Sequence, residues 1–132
     1  MPPKKQVDPA QLRAAMLAVA EWLHDDALPT PPRAELAAAV RLSARALAQD
    51  APGNAVEVRV PPCVAVQCLT GVRHTRGTPP NVVETTPRNW LRLAAGLTEL
   101  DDEIAAHRVS ASGHRAVDIA ACLPLVRLPA PS

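Results

Sequence analysis

Between Asp50 and Val56 the spacing of apolar residues changes from about four to two. No single kind of element satisfies both periods, because helices repeat every 3.6 residues and strands every two. The chain must therefore fold as helices first and sheet second. Before the change, Leu12, Met16, Val19 and Leu23 follow one another at steps of four, three and four, which lays one stripe along a helix. Asp8 can cap that helix, Pro9 suits its first position, and Gln11 stands where a capping box wants Gln or Glu. The stripe predicts a helix running to about His24. Leu28-Pro29-Thr30-Pro31-Pro32 breaks the chain, and Thr30 is expected to cap a second helix that opens on the prolines. Leu36, Val40 and Leu47 mark its buried side, with alanines that let another helix approach closely. Arg33, Arg41 and Arg45 lie together at helical spacing and read as a solvated face.

After the change, Val56, Val58 and Val60 alternate with Glu57 and Arg59, the pattern of a strand with one wet face. Pro61-Pro62 interrupts it. Val64, Val66 and Cys68 predict a second strand, Val82 and Val83 a short third, and Val109 to Ser112 a last one. Thr86-Pro87 opens a helix with Trp90, Leu91, Leu93, Ala94 and Leu97 on its apolar side, and Gly96 is placed to end it. Thr98 and Asp101 are expected to start a shorter helix to about Ala106. A further short helix is expected around Val117 to Cys122. Residues 1–7 read as a tail and 8–128 as a single domain of α+β class.

Composition excludes several functions. The 14 Lys and Arg nearly balance the 13 Asp and Glu, which argues against a general nucleic-acid binder. Phe and Tyr are absent, so no stacking platform for bases can be built, and the core must come from Ala, Leu and Val. Cys63, Cys68 and Cys122 form no CxxC pair, and the five-residue step from Cys63 to Cys68 puts them on opposite faces of a strand. They read as plain thiols, with no metal and no cofactor implied. Met1 to Lys5 lacks the apolar run of a signal peptide, and no stretch is long enough to insert stably in a membrane. A cytoplasmic protein with reduced thiols is the expectation.

The segment His74-Thr75-Arg76-Gly77-Thr78-Pro79-Pro80-Asn81-Val82-Val83-Glu84 places polar and stiff residues between two strand-like runs, where binding work tends to sit. It contains no complete catalytic set. Ser112-Gly113-His114 brings a hydroxyl and an imidazole close in sequence, but the G-x-S-x-G elbow is absent, as are the Walker and G-x-G-x-x-G motifs. The chain is not expected to be an enzyme.

VEVRVPP (Val56 to Pro62), AVQC (Ala65 to Cys68), HTRGTPPNVVE (His74 to Glu84), the Trp helix from Thr86 to Gly96, and SASG (Ser110 to Gly113) followed by LPLV together resemble the small bacterial sterol carrier family, common in actinobacteria. The likeness runs from about residue 8 to 128. It implies a sterol-carrier-like fold: a curved, mainly antiparallel sheet of about five strands covered by helices, here with two N-terminal helices. It also implies an apolar tunnel for fatty-acyl or sterol-like molecules between sheet and helices. In this chain the tunnel wall would be Val64, Val66, Val83, Trp90, Leu93 and Leu97. His74 and Arg76 would hold a polar head group at the mouth, since Arg offers a rigid donor fork to carboxylate or phosphate. The alternative is a ligand-free interaction or accessory domain that forms a homodimer or docks on another protein. Mycothiol-dependent maleylpyruvate isomerases join such a domain to a metal-binding bundle. The first fifty residues here supply only His24, short of a three-ligand site.

Overall fold

In a computed structural model, residues 6–71 and 81–129 are described. Asp8 opens helix α1 (Pro9–Ala18), its Oδ1 accepting the Ala10 N–H at 2.8 Å. The stripe Leu12, Met16, Val19 and Leu23 is buried as its spacing requires. The helix does not run unbroken to His24. Val19 leaves α geometry, its N–H donating to the Met16 carbonyl three residues back, and the chain resumes as α2 (Ala20–His24). Three helices, not two, therefore precede the sheet.

Helix α3 (Arg33–Asp50) begins later than expected, with Pro32 at its cap and no side-chain cap bond. Thr30 stands too early to cap it. A residue before proline is kept out of the α region, so Thr30 and Pro31 are both held extended until the second proline has passed. Val40 and Leu47 are buried, and so are Ala39, Ala44, Ala46 and Ser43. Helix α3 packs against α1, the strand at Val64–Cys68 and the later helix at Pro87–Ala94.

The four expected strands become β1 (Val56–Val60), β2 (Val64–Cys68), β3 (Asn81–Thr85) and β4 (Val109–Ser112), in the order β2-β1-β3-β4. The outer pairs are antiparallel and β1–β3 is parallel. A mainly antiparallel sheet is present, but with four strands among the described residues rather than about five. One reason lies in Leu123 to Leu128, which does not add a strand. The N–H groups of Leu125 and Val126 donate to the Ala94 carbonyl at 2.8 and 3.1 Å, which seats this segment on the end of the Trp helix. On the inner face Val56, Val58, Val60, Cys68, Val83 and Val109 are buried. On the outer face Gln67, Glu84, Ser110 and Ser112 are exposed.

Helix α4 (Pro87–Ala94) starts on Thr86, whose Oγ1 accepts the Asn89 N–H at 3.3 Å. It ends as expected at Gly96, φ 75°, with Leu97 N–H donating to Arg92 and Gly96 N–H to Leu93. That paired closure satisfies two carbonyls that the helix end would otherwise leave bare. Helix α5 (Leu100–Ala105) is capped by Glu99 without a side-chain bond. Thr98 does not cap it, because its hydroxyl donates to Glu103 Oε1 instead. A 3-10 helix (Ala116–Cys122) closes over β3 and β4.

Candidate functional site

Val83, Trp90 and Leu93 are all buried in the core, with Trp90 0% exposed. The Trp90 Nε1–H donates to Ser43 Oγ at 2.8 Å, while the Ser43 hydroxyl lies 2.7 Å from the Ala39 carbonyl and donates to it. A buried indole N–H needs such a partner, so this bond clamps α4 to α3. Val64 and Val66 point to the same side from edge strand β2 and are half-buried, as is Leu97 beyond α4. The structure thus buries Val83, Trp90 and Leu93 in the core and leaves Val64, Val66 and Leu97 at its margins. His74 and Arg76 lie outside the described residues.

An open cleft of about 480 Å³ separates the first half of α3 from the β1–β2 turn. Leu36 and Ala37 line one side, Pro62 and Cys63 the other, and Pro31 and Pro87 the ends. Arg33 and Arg41 border it, and Arg41 Nε–H donates to the Cys63 carbonyl at 3.1 Å. None of Val64, Val66, Val83, Trp90, Leu93 and Leu97 borders this cleft. A second hollow of about 240 Å³ shares Pro31 with it and is lined by Trp22, Leu28 and Pro29, with Glu21 and Glu35 at the rim. A third, of only about 70 Å³, lies between Leu93, Gly96, Leu100 and Pro124.

Reasoning from sequence passed over this cleft because it read Arg33 and Arg41 with Arg45 as a solvated face. The available signal was their shared step of four around Ala37, which places a small residue between two cations. It also missed the pair Arg88 and Arg92. Arg88 donates to the Trp22 and Leu23 carbonyls at 3.3 and 3.1 Å and lies 5.6 Å from the Trp22 ring, and Arg92 also donates to Leu23. Two cations thus close the C-terminal end of α2, where carbonyls lack partners. Burial first, and the neighbouring Arg88 second, push the Arg92 guanidinium below its ordinary pKa.

The stems of the His74 segment are braced from the far side of the chain. Arg115 donates through its side chain to the Thr70 carbonyl at 2.8 Å and through its backbone to Asn81 Oδ1 at 3.0 Å. Asn81 in turn donates to the Ala55 carbonyl. These stems lie at the end of the sheet where Val56 pairs with Cys68 and Asn81, whereas the cleft lies at the Val60–Val64 end.

Ser110, Ser112 and Cys68 form no nucleophile–base hydrogen bond among the described residues, although Glu84 and Ser110 are cross-strand partners. Ser110, Ser112, Glu84 and His114 are exposed, and Asp118 accepts from Arg115 at 3.0 Å. His107 closes the end of α5 at φ 62°. Burial, and then Cys122 nearby, push the Cys68 thiol up to about 11, so it stays protonated and inert. Cys63 and Cys122 are free and half-buried. Among the described residues no three His, Cys, Asp or Glu side chains gather as a metal site, and no helix is long and apolar enough to cross a membrane.

A family model described as a bacterial SCP ortholog matches residues 32–125, from the start of α3 to Leu125. The chain belongs to this bacterial SCP family. No curated protein matches it. Membership of the SCP family suggests a lipid-binding or carrier role in general, and such carriers are generally non-catalytic. The matched region takes in the four strands, the Trp90–Ser43 clamp and all of the cleft lining except Thr30 and Pro31, and leaves α1 and α2 outside.

Proposed function

We propose that this SCP-family protein binds and carries an apolar small molecule of the fatty-acyl or sterol-like class between sheet and helices, without reacting with it. The supporting observation is the open cleft at the seam between the helical layer and the sheet. Its 480 Å³ falls in the range that holds small molecules, roughly 300–1,000 Å³. Each buried methylene contributes about 0.8 kcal/mol, so a chain of ~14 carbons gains roughly 10 kcal/mol gross. Lost freedom offsets several kcal/mol of that, and micromolar affinity follows without a catalytic group. On this reading Val64 and Val66 continue the cleft along β2, with Val83, Trp90, Leu93 and Leu97 as the deeper wall. Trp90 and Val83 have no exposed surface, so a ligand reaches them only by displacing packed side chains. His74 and Arg76 are the head-group candidates at the opposite end of the sheet. The same reading takes the protein as a cytoplasmic carrier.

The test is titration of delipidated protein with a fluorescent long-chain fatty acid and with a sterol analogue, alongside mass spectrometry of lipid that copurifies. Saturable binding of either class supports a carrier. No binding of either, and no copurifying lipid, would end it. A second reading, a docking module without ligand, draws on the exposed side chains of Leu28 (39%), which lines the 240 Å³ hollow, and of Leu17 (44%) on α1. Light scattering decides whether this apolar area holds a second copy.

A further inference from the structure

Arg33, Ala37 and Arg41 follow one another at steps of four on α3, so they share one face. That face forms one wall of the open cleft. The residues bordering the cleft carry two guanidinium groups and no carboxylate. Neither arginine forms an ion pair among the described residues. Other arginines are committed elsewhere: Arg59 and Arg108 to glutamates, Arg88 and Arg92 to the end of α2, and Arg115 to Asp118 and Thr70. Arg41 is also held in place. Its Nε–H is fixed on the Cys63 carbonyl, which leaves the two terminal nitrogens, with four N–H donors, for a ligand.

We propose that this cleft takes a long-chain anion, a single acyl chain with a carboxylate or phosphate head. Arg41 and Arg33 hold the head group, and Leu36, Ala37, Pro62 and Pro87 take the first part of the chain. The planar fork of a guanidinium matches the paired oxygens of either head. A neutral alcohol or sterol offers one hydroxyl and leaves most of these donors without a partner. The proposal rests on the carrier reading and adds to it the charge class of the ligand and the end of the sheet where its head sits. It also differs from a head-group role for Arg76, whose segment leaves the sheet at the other end.

The experiment is calorimetric titration of the full chain with monomeric oleate, lysophosphatidate and oleyl alcohol. Four proteins are compared: wild type, Arg33→Gln/Arg41→Gln, Ala37→Trp and Arg76→Ala. Both arginines are exposed, so the double variant keeps its fold, and circular dichroism checks each protein. The double variant should lose about tenfold or more in affinity for the charged ligands, the scale of a lost charge-assisted hydrogen bond, and bind oleyl alcohol as before. Ala37→Trp, which fills the cleft, should weaken all three ligands, and Arg76→Ala should weaken the charged ones less than the double variant does. Dependence seen with oleate assigns a carboxylate head, and dependence seen only with lysophosphatidate assigns a phosphate head. If wild type and the double variant bind the anions equally, or the alcohol falls as far as the anions, the assignment to this cleft is overturned while the carrier reading stands. If wild type binds none of the three, both fall together.

Discussion

Two buried polar side chains show how single residues set the character of this interior. Ser43 is reached only by the Trp90 indole and by carbonyls of its own helix. Ser43→Ala would leave a buried N–H without a partner, and should cost about 1–3 kcal/mol of stability by urea denaturation. Glu103 is 3% exposed and accepts from Arg108 and Thr98. Burial, the largest influence, raises its pKa, but the bonds from Arg108 and Thr98 outweigh it and leave the carboxylate below its ordinary 4.5. A carboxylate with a lowered folded pKa stabilises the fold fully above its unfolded value, and that contribution is lost as pH falls through the folded value. Stability should therefore drop as pH goes below about 4.5, and Glu103→Gln should flatten that part of the denaturation profile. Trp90 was legible as buried because it sits at the centre of an apolar helical stripe. Ser43 was not, because a serine among alanines carries no sign in sequence that an indole 47 residues away will claim it.

At the scale of elements, the local rules that worked were those with a stereochemical cause. Asp8 caps α1, Thr86 caps α4 and Gly96 ends it, each through a bond that the residue type permits. The rules failed where a neighbour overrode them. Thr30 was displaced as a cap by two prolines, and Thr98 by the pull of Glu103. Helix α5 ends in the same doubly bonded closure as α4, with Arg108 N–H on Glu103 and His107 N–H on Ile104. Yet it uses histidine, not glycine, at φ 62°. A side chain in that region costs roughly 1–2 kcal/mol, part of which glycine returns through its freer unfolded chain. His107→Gly should therefore raise stability by about 0.5–1 kcal/mol, read as a higher thermal midpoint.

For the whole molecule, the α+β class and the first two strands were visible in the period of the apolar residues. The parallel return of β3 beside β1 was not, because pairing partners leave no local mark. The cleft was equally hidden, since its lining comes from three separate stretches of chain. The two tryptophans make the carrier reading easy to test. With Trp22→Phe in place, Trp90 alone reports, and a fatty acid that reaches the deeper wall should change its emission. Binding proved by calorimetry with no change in emission would remove Trp90 from the wall and confine the ligand to the outer cleft. Arg76→Ala should weaken charged ligands more than neutral ones if that segment touches a head group, and equal loss would mark a structural brace.

The kinship of this chain begins at residue 32, but its folding unit begins earlier. Leu12, Met16, Val19 and Leu23 are sealed inside, and α1 lies along α3. A fragment cut to the matched boundaries would bare an oily seam on α3 and strip Arg88 and Arg92 of the carbonyls they hold. Such a fragment should be sticky and poorly folded, so lipid uptake by it would say little about the intact protein.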